Sequence, residues 1–401
     1  IICPKFGVHI KIGNICAFNF VVEYFRIKWQ RGIFRLKSKK IMLAIAFLSS
    51  FIFLGNSTTV NAKTYSNSQL RKYAIKTMNK HHLLGTIEIV KDGHRQTVNV
   101  GYGYYRRKIK NGNKKLLYPV GSLQKSITAA IITQLIYQKK FSQNTKISRW
   151  YPKLKHSKYI TVGQLMTHTS GINVIGTESS HGINFSEKGA INWTIAKANA
   201  TARTKRASFN YNNANYVLLA GIIRKVTGKS YAANVKSRIV KPLHLKHTYI
   251  YQNIPRSKTD AISYLYRHGK NYQSASYANK YVVLQLPGAG NLFSTASDYY
   301  KIQQGLHNGK ILTEKQFNYL SHLKSKVNTY SGGYYLKNGG KLKLAYGNFG
   351  DTHFTNWMQL TTDNKNGIVM FLNQPYGSKN QIKSVGYSIL KHIKSGTFIR
   401  R

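Results

Sequence analysis

The chain has 401 residues, 42% of them hydrophobic, which is enough to bury a large core as one big domain or two closely packed ones and excludes disorder as the main state. Its 62 lysines and arginines face 10 aspartates and glutamates, a formal net charge of +52, which calls for polyanionic surroundings. The basic residues are scattered over the whole length, without zinc-finger spacing or a basic helix followed by heptads, so nucleic acid is excluded as the partner.

In chain order, the first informative element is Lys37, Lys39 and Lys40 followed by an apolar run from Ile41 to Leu54 and a polar stretch ending in Val60-Asn61-Ala62. This predicts a secretory signal peptide over 37–62, cleaved after Ala62. The apolar run has 14 residues, short of the roughly 18 to 20 that span a bilayer as a helix; left uncleaved, it would hold the protein at the membrane surface. Residues 1–36 stand upstream of a complete export signal and contain no methionine, the first being Met42. They are expected to be a non-native or untranslated leader, with a non-AUG start at Leu36, since a start at Met42 would delete the three lysines. Cys3 and Cys16 both lie in this leader, so the chain from Lys63 has no cysteine and is expected to use neither disulfides nor thiolate chemistry. Residues 1–62 hold 9 basic and 1 acidic residue, and without them 53 basic and 9 acidic residues remain, a net +44. For a secreted or cell-surface protein of Gram-positive type, the expected counter-charge is a phosphate-rich cell wall.

Periodicity predicts a helix over Gln69 to Asn79, then strands Thr86 to Val90 and Thr97 to Val100 around a turn at Asp92-Gly93. From Ser122 to Lys139, the residues Ile127, Ala130, Ile131, Leu135 and Ile136 share one helical face, and Pro119 and Gly121 break the chain before it. The middle reads as short helices and turns, with helices over Thr161 to His168, Ala214 to Thr227 closed by Gly228, and Tyr231 to Ile239. Strands return near Gly333 to Leu336, Leu342 to Tyr346, Phe354 to Leu360 and Gly367 to Leu372, before a last helix around Gln381 to Ile393. The expected fold class is α/β of the α+β kind: an antiparallel sheet built from both chain ends and flanked by helices, with a mostly helical subdomain inserted at about 141–285 of a 63–401 domain.

A Ser-x-x-Lys on a helix sets a hydroxyl and an amine on one face, where a neutral lysine can take the serine proton. Three matches occur, Ser122/Lys125, Ser321/Lys324 and Ser388/Lys391. Only Ser122 stands at a predicted helix start, where the macrodipole favours a developing alkoxide; the other two are expected on the surface. For Lys125 to serve as the base near neutral pH its pKa must fall well below the usual value, through burial and surrounding positive charge. Tyr-x-Asn occurs five times. Tyr211-Asn212-Asn213 stands out because it leads into the apolar helix from Tyr216 to Val226, which would hold the phenol in a cleft. Tyr211 can then relay the proton to the leaving group, and Asn213 can hydrogen-bond the lysine or the substrate.

Gly121-Ser122-Leu123-Gln124-Lys125, Leu165-Met166-Thr167-His168-Thr169-Ser170-Gly171, Tyr211-Asn212-Asn213-Ala214-Asn215-Tyr216, Lys241-Pro242-Leu243 and Gly288-Ala289-Gly290-Asn291-Leu292-Phe293-Ser294-Thr295 follow one another in the order of a known family's signatures. On them the chain resembles the serine β-lactamase-like, penicillin-binding-protein superfamily over about residues 65 to 395. The resemblance implies a sheet between helices, a helical domain, and the nucleophile between the two.

The family's third element, a Lys or His followed by any residue and Gly, matches Tyr346-Gly347-Asn348-Phe349-Gly350-Asp351, which puts Asn348 in the place of the cation. That cation recognises the carboxylate of penicillins and peptidyl-D-alanine, so its loss argues against such substrates. Asn348, Phe349 and Gly350 are then expected to bind substrate, and the backbone N–H groups of Ser122 and Asp351 to form the oxyanion hole. The aromatic-Gly pair, with Gly101-Tyr102-Gly103-Tyr104, is similar to the teichoic-acid D-alanyl esterase branch. The implied activity is an acyl-enzyme esterase on an anionic wall polymer such as teichoic acid. The rival readings are a D-Ala-D-Ala carboxypeptidase acting on peptidoglycan peptide and a catalytically silent wall-binding protein.

His168 has no acidic neighbour in sequence and is expected to be a buried structural histidine. Thr227-Gly228-Lys229-Ser230 lacks the earlier glycine of a phosphate loop, its place being taken by Ile223. With no His-Glu-x-x-His and few acids, neither a metal nor a cofactor is expected. The sequence leaves the oligomeric state open.

Overall fold

In the computed structural model the described residues are 63–202, 207–323, 325, 330–349, 352–377, 379–394 and 397–398. The expectations for the leader, the signal peptide, Cys3, Cys16, Gly350 and Asp351 fall outside them. Among the described residues, no helix is long and apolar enough to cross a membrane.

Helix α1 (Asn67–Lys80) begins at a capping box in which Ser66 Oγ accepts from the Gln69 N–H and Gln69 Oε1 accepts from the Ser66 N–H. Leu70, Ala74, Thr77 and Met78 recur at helical spacing and are its buried face. Strands β1 (Leu84–Lys91) and β2 (His94–Val100) form the predicted hairpin, its turn at Asp92 and Gly93. The C-terminal part supplies β3 (Tyr330–Ser331), β4 (Tyr334–Lys337), β5 (Leu342–Asn348), β6 (Thr355–Thr361), β7 (Gly367–Gln374) and the long last helix Lys379–Ile393. These strands make one seven-stranded antiparallel sheet in the order β3-β4-β5-β6-β7-β1-β2. The chain ends meet where β1 pairs with β7, with Thr86 opposite Phe371 and Glu88 opposite Val369.

Alternation along the strands divides the core into two layers. Ile87, Ile89, Leu344, Trp357, Ile368, Met370 and Leu372 pack with Leu70, Ala74 and Met78 of α1 and with Ile382, Val385 and Ile389 of the last helix. The opposite face, with Val90, Ala345, Met358, Val369 and Phe371, belongs to the large cluster around helix α2 (Lys125–Tyr137). Ten of the thirteen residues of α2 are buried, so this helix runs through the middle of the protein. Around it lie α3 (Val162–Met166), α4 (Glu187–Ala200), α5 (Asn213–Thr227) and α6 (Tyr231–Val235), then α7 (Lys280–Leu284), α8 (Ala296–Gly305) and α9 (Glu314–Ser321). The last helix, Lys379–Ile393, is α10.

The middle region also holds a hairpin, Ser263–Arg267 with Lys270–Ser276, that hydrophobic periodicity did not reveal. Its second strand is half-buried or exposed along its length, so no apolar alternation marks it. A small sheet built on Leu116–Pro119 pairs with Leu292–Ser294 on one side and Thr259–Asp260 on the other. It delivers the chain to Ser122.

Candidate active site

The small sheet continues past Pro119 through the Val120 N–H, which donates to the Leu292 carbonyl at 2.9 Å. The chain then turns at Gly121, φ +60°, into a 3-10 turn, Gly121–Gln124, that runs on as α2. Ser122 therefore sits in a tighter turn than the α-helical start expected. The consequence is favourable, since a 3-10 turn eclipses residues three apart and sets Ser122 over Lys125. β5 passes directly beside this turn. A Cβ on Gly347 would stand 2.3 Å from the Val120 oxygen and 3.3 Å from the Ser122 nitrogen, and one on Gly121 3.0 Å from the Gly347 Cα. Two glycines in contact allow the sheet and the nucleophile turn to meet.

Lys125 is fully buried, and its Nζ has three partners: Ser122 Oγ at 2.8 Å, Asn213 Oδ1 at 2.8 Å and the Ala289 carbonyl at 3.0 Å. That set suits both protonation states of the amine. An ammonium donates to all three, whereas a neutral amine donates to the amide and the carbonyl and turns its lone pair to the serine hydroxyl. Burial lowers the Lys125 pKa to about 7, and the Glu178 carboxylate works against that by raising it. The expected help from neighbouring positive charge is thus not what lowers it; the charge that acts on this amine is negative.

Tyr211 closes the group. Its ring lies 5.0 Å from Lys125 Nζ, and the Ser122 hydroxyl is among the groups that act on its phenol. Burial pushes the phenol pKa far above its ordinary value, so it carries its proton at any physiological pH. The loop bearing it is held by His168. The Asn210 N–H donates to the His168 carbonyl at 2.8 Å, and the Asn212 N–H donates to Nδ1 of its ring at 3.3 Å. Nδ1 also meets Asn215 Nδ2 at 2.9 Å, so it is an acceptor and the ring proton is on Nε2. His168 is fully buried, its ring 4.3 Å from that of Tyr211, and burial followed by the nearby Lys125 charge keeps it neutral. Asn212 caps α5 by accepting from the Ala214 N–H at 3.0 Å, which points Asn213 at the lysine.

Ser122, Lys125, Tyr211 and Asn213, far apart in sequence, thus converge. Asn348 and Phe349 lie at the end of β5, and Asn348 Oδ1 is buried with no hydrogen-bond partner among the described residues. Gly350 and Asp351, expected for substrate approach and the oxyanion hole, lie outside the described residues. The other Ser-x-x-Lys pairs differ in part from expectation. Ser321, expected on the surface, is buried at the end of α9 and donates to the Asn318 carbonyl, because the last turn of that helix tucks under β3. Ser388 is half-buried and bonds within its own helix.

Sequence reasoning missed Gln124, the Ala289 carbonyl and Glu178. Gln124 stitches the nucleophile turn to the Gly288–Thr295 segment through Asn291 at 2.8 Å and the Leu292 N–H at 2.7 Å. Glu178 Oε1 accepts from Asn213 Nδ2 at 2.7 Å. No motif spacing marks Glu178, and its only signal in sequence is the scarcity of acids.

A serine and a lysine joined by a hydrogen bond, at the junction of an antiparallel sheet and a buried helix, define a serine hydrolase of the β-lactamase-like class. Comparison with known proteins gives the family. A family model described as beta-lactamase matches residues 70–385, and the chain belongs to that family. It is 31% identical over 316 residues to a teichoic acid D-alanine hydrolase of Staphylococcus aureus, covering 77% of this chain and 75% of that protein. Its structure resembles that of FmtA from Staphylococcus aureus with a TM-score of 0.69 and 26% identity, over 86% of this chain and 97% of the other. A D-amino acid amidase from Ochrobactrum anthropi SV3 shares the fold at a TM-score of 0.68 and 20% identity, over 82% of this chain and 97% of its own.

Proposed function

We propose that the chain is an exported esterase that removes D-alanyl groups from an anionic, teichoic-acid-type wall polymer through an acyl-enzyme on Ser122. The observation that carries this reading is the buried Lys125 amine, 2.8 Å from Ser122 Oγ with its pKa lowered to about 7. At neutral pH a useful fraction of it is a base. Lys125 Nζ takes the Ser122 proton as Oγ bonds the ester carbonyl carbon. The Lys125 ammonium then returns that proton through the Tyr211 phenol to the departing alcohol as the C–O bond breaks. A water next gives its proton to the Lys125 amine and its oxygen to the acyl carbon. The bond to Ser122 breaks, and Oγ recovers the proton while the acid leaves.

The substrate part of the reading draws on three supports. The relative at 31% identity is a teichoic acid D-alanine hydrolase. A net +44 on the chain from Lys63 would concentrate it on a polyphosphate. At the end of β5, Asn348 offers an amide where a carboxylate-terminated peptide would need a cation.

Mass spectrometry of the protein incubated with D-alanylated wall polymer is expected to show an alanyl adduct on Ser122 and free D-alanine in solution, both lost in Ser122→Ala. A Ser122→Ala protein that cleaves a chromogenic ester as fast as the parent would overturn the assignment. Efficient labelling by a fluorescent penicillin would favour the carboxypeptidase reading, and a Ser122 inert to fluorophosphonate would favour the silent wall-binding protein.

A further inference from the structure

Glu178 lies in the turn-rich segment that precedes α4, and the mechanism above gives it no part. Its position is nevertheless well determined. The Gly176 and Thr177 carbonyls just before it accept from Gln285 Nε2 at 3.1 and 3.0 Å, and the Val174 carbonyl accepts from Asn212 Nδ2 at 3.0 Å. The carboxylate itself is exposed, with one oxygen accepting from Asn213 Nδ2 at 2.7 Å. A single amide separates it from Lys125 Nζ, because Asn213 Oδ1 accepts from that amine at 2.8 Å.

Among the described residues Asp92, Glu88, Glu187 and Asp298 each have a basic partner within 4 Å, and no such ion pair engages Glu178, Asp260, Glu314 or Asp363; of these four, Glu178 is the one joined through a single amide to Lys125. In a chain of 62 lysines and arginines, this exposed carboxylate beside the cleft has no ion-pair partner among the described residues. The base next to it works as a neutral amine, and the residue at the end of β5 is Asn348, uncharged. The cleft therefore presents a negative charge to what enters it. An acyl group that bears a carboxylate is repelled, and one that bears an ammonium gains a charge-assisted hydrogen bond.

We propose that the Glu178 carboxylate receives the free ammonium of the acyl group, so that the Ser122 cleft is selective for cationic α-aminoacyl esters over neutral or anionic ones. The inference rests on Ser122 being the acylated nucleophile. The amino nitrogen of an alanyl ester is one carbon from the carbonyl that Ser122 attacks, and the chain of contacts Ser122–Lys125–Asn213–Glu178 puts the carboxylate on the Asn213 side of that carbonyl, the side from which it would receive the ammonium. Asn213 then has two tasks: it holds Lys125 with its oxygen and orients Glu178 with its nitrogen.

The test compares two esters of the same phenol, one D-alanyl and one N-acetyl-D-alanyl, on the full chain at pH 7, where the free amine is protonated. The parent is expected to favour the cationic ester by about tenfold or more in kcat/KM, the scale of one hydrogen bond to a charged group. Glu178→Gln keeps an oxygen acceptor for Asn213 and removes the charge, and it is expected to bring the ratio of the two esters close to one. Glu178→Lys is expected to invert it. The ratio cancels any effect of Glu178 on the Lys125 base, since both esters use that base. A ratio unchanged in both variants, or absent in the parent, overturns the inference while Ser122 turnover stands. If the parent acylates with neither ester, the reading of Ser122 as nucleophile fails, and the inference fails with it.

Discussion

Among the described residues two lysines are fully buried, and burial lowers the pKa of each to about 7. Lys125 faces a serine hydroxyl, an amide oxygen and a carbonyl, whereas Lys343 Nζ has no hydrogen-bond partner among the described residues and rests over the rings of Phe317 and Tyr334 at 4.8 and 5.3 Å. A lowered pKa alone therefore does not mark a base; the neighbour that can lose a proton does. For Lys125 the sign is clear: below about pH 7 the amine is protonated and cannot take the Ser122 proton, and above it the free base accumulates. The kcat/KM of the parent on a neutral ester is expected to rise about tenfold per unit below pH 7 and to level off above it. Lys125→Met should flatten this limb and lower turnover by about 10² to 10⁴-fold. A pH–rate profile on parent and variant checks both. Ser122/Lys125 and Tyr211/Asn213 were legible because each pair stands at a short interval where the sequence predicts a helix to begin. Glu178 was not, since its closeness to Asn213 comes from a loop meeting the start of α5, which no sequence interval relates.

At the scale of elements, the site depends on a strand and a turn touching through Gly347 and Gly121. Nothing larger fits: a methyl group on Gly347 would overlap the Val120 carbonyl oxygen at 2.3 Å. Gly347→Ala is expected to cost about 1–3 kcal/mol of stability, as overpacking does. The same change pushes the Ser122 turn away from β5, and turnover should fall by about 10²-fold, as misplacement of a reacting group by about 1 Å can cost. A thermal melt beside an ester assay separates the two effects, and a variant as active as the parent would show that the strand does not set the nucleophile. The strands of the large sheet and helices α1, α2, α5 and α10 were readable, because apolar residues at intervals of two or near 3.6 bury one face, whereas α4, α8 and α9 were not named from the sequence. The hairpin Ser263–Arg267 with Lys270–Ser276 was not, because Tyr and polar residues on an exposed strand carry no period.

For the whole molecule, the quantity that matters is charge. Lysines and arginines spread over the surface of the chain from Lys63, net +44, create a field that a phosphate polymer would feel at range and that salt would screen. Hydrolysis of polymer-borne esters is therefore expected to weaken steeply between about 50 and 500 mM salt through KM, with the Debye length falling from roughly 14 to 4 Å. Cleavage of a small neutral ester should stay nearly constant. Parallel titrations with salt on the two substrates check this, and an equal response would remove the long-range field from the account.

The sequence by itself determined the family, the pairing of Ser122 with Lys125, the sheet drawn from both chain ends and the basic character, because each is written in residue types at short intervals or in composition. Only the tertiary structure decided that Ser321 is buried and that a carboxylate rather than a cation borders the lysine. Those outcomes depend on contacts between segments tens to hundreds of residues apart, and such contacts are chosen by packing and burial rather than by any local pattern.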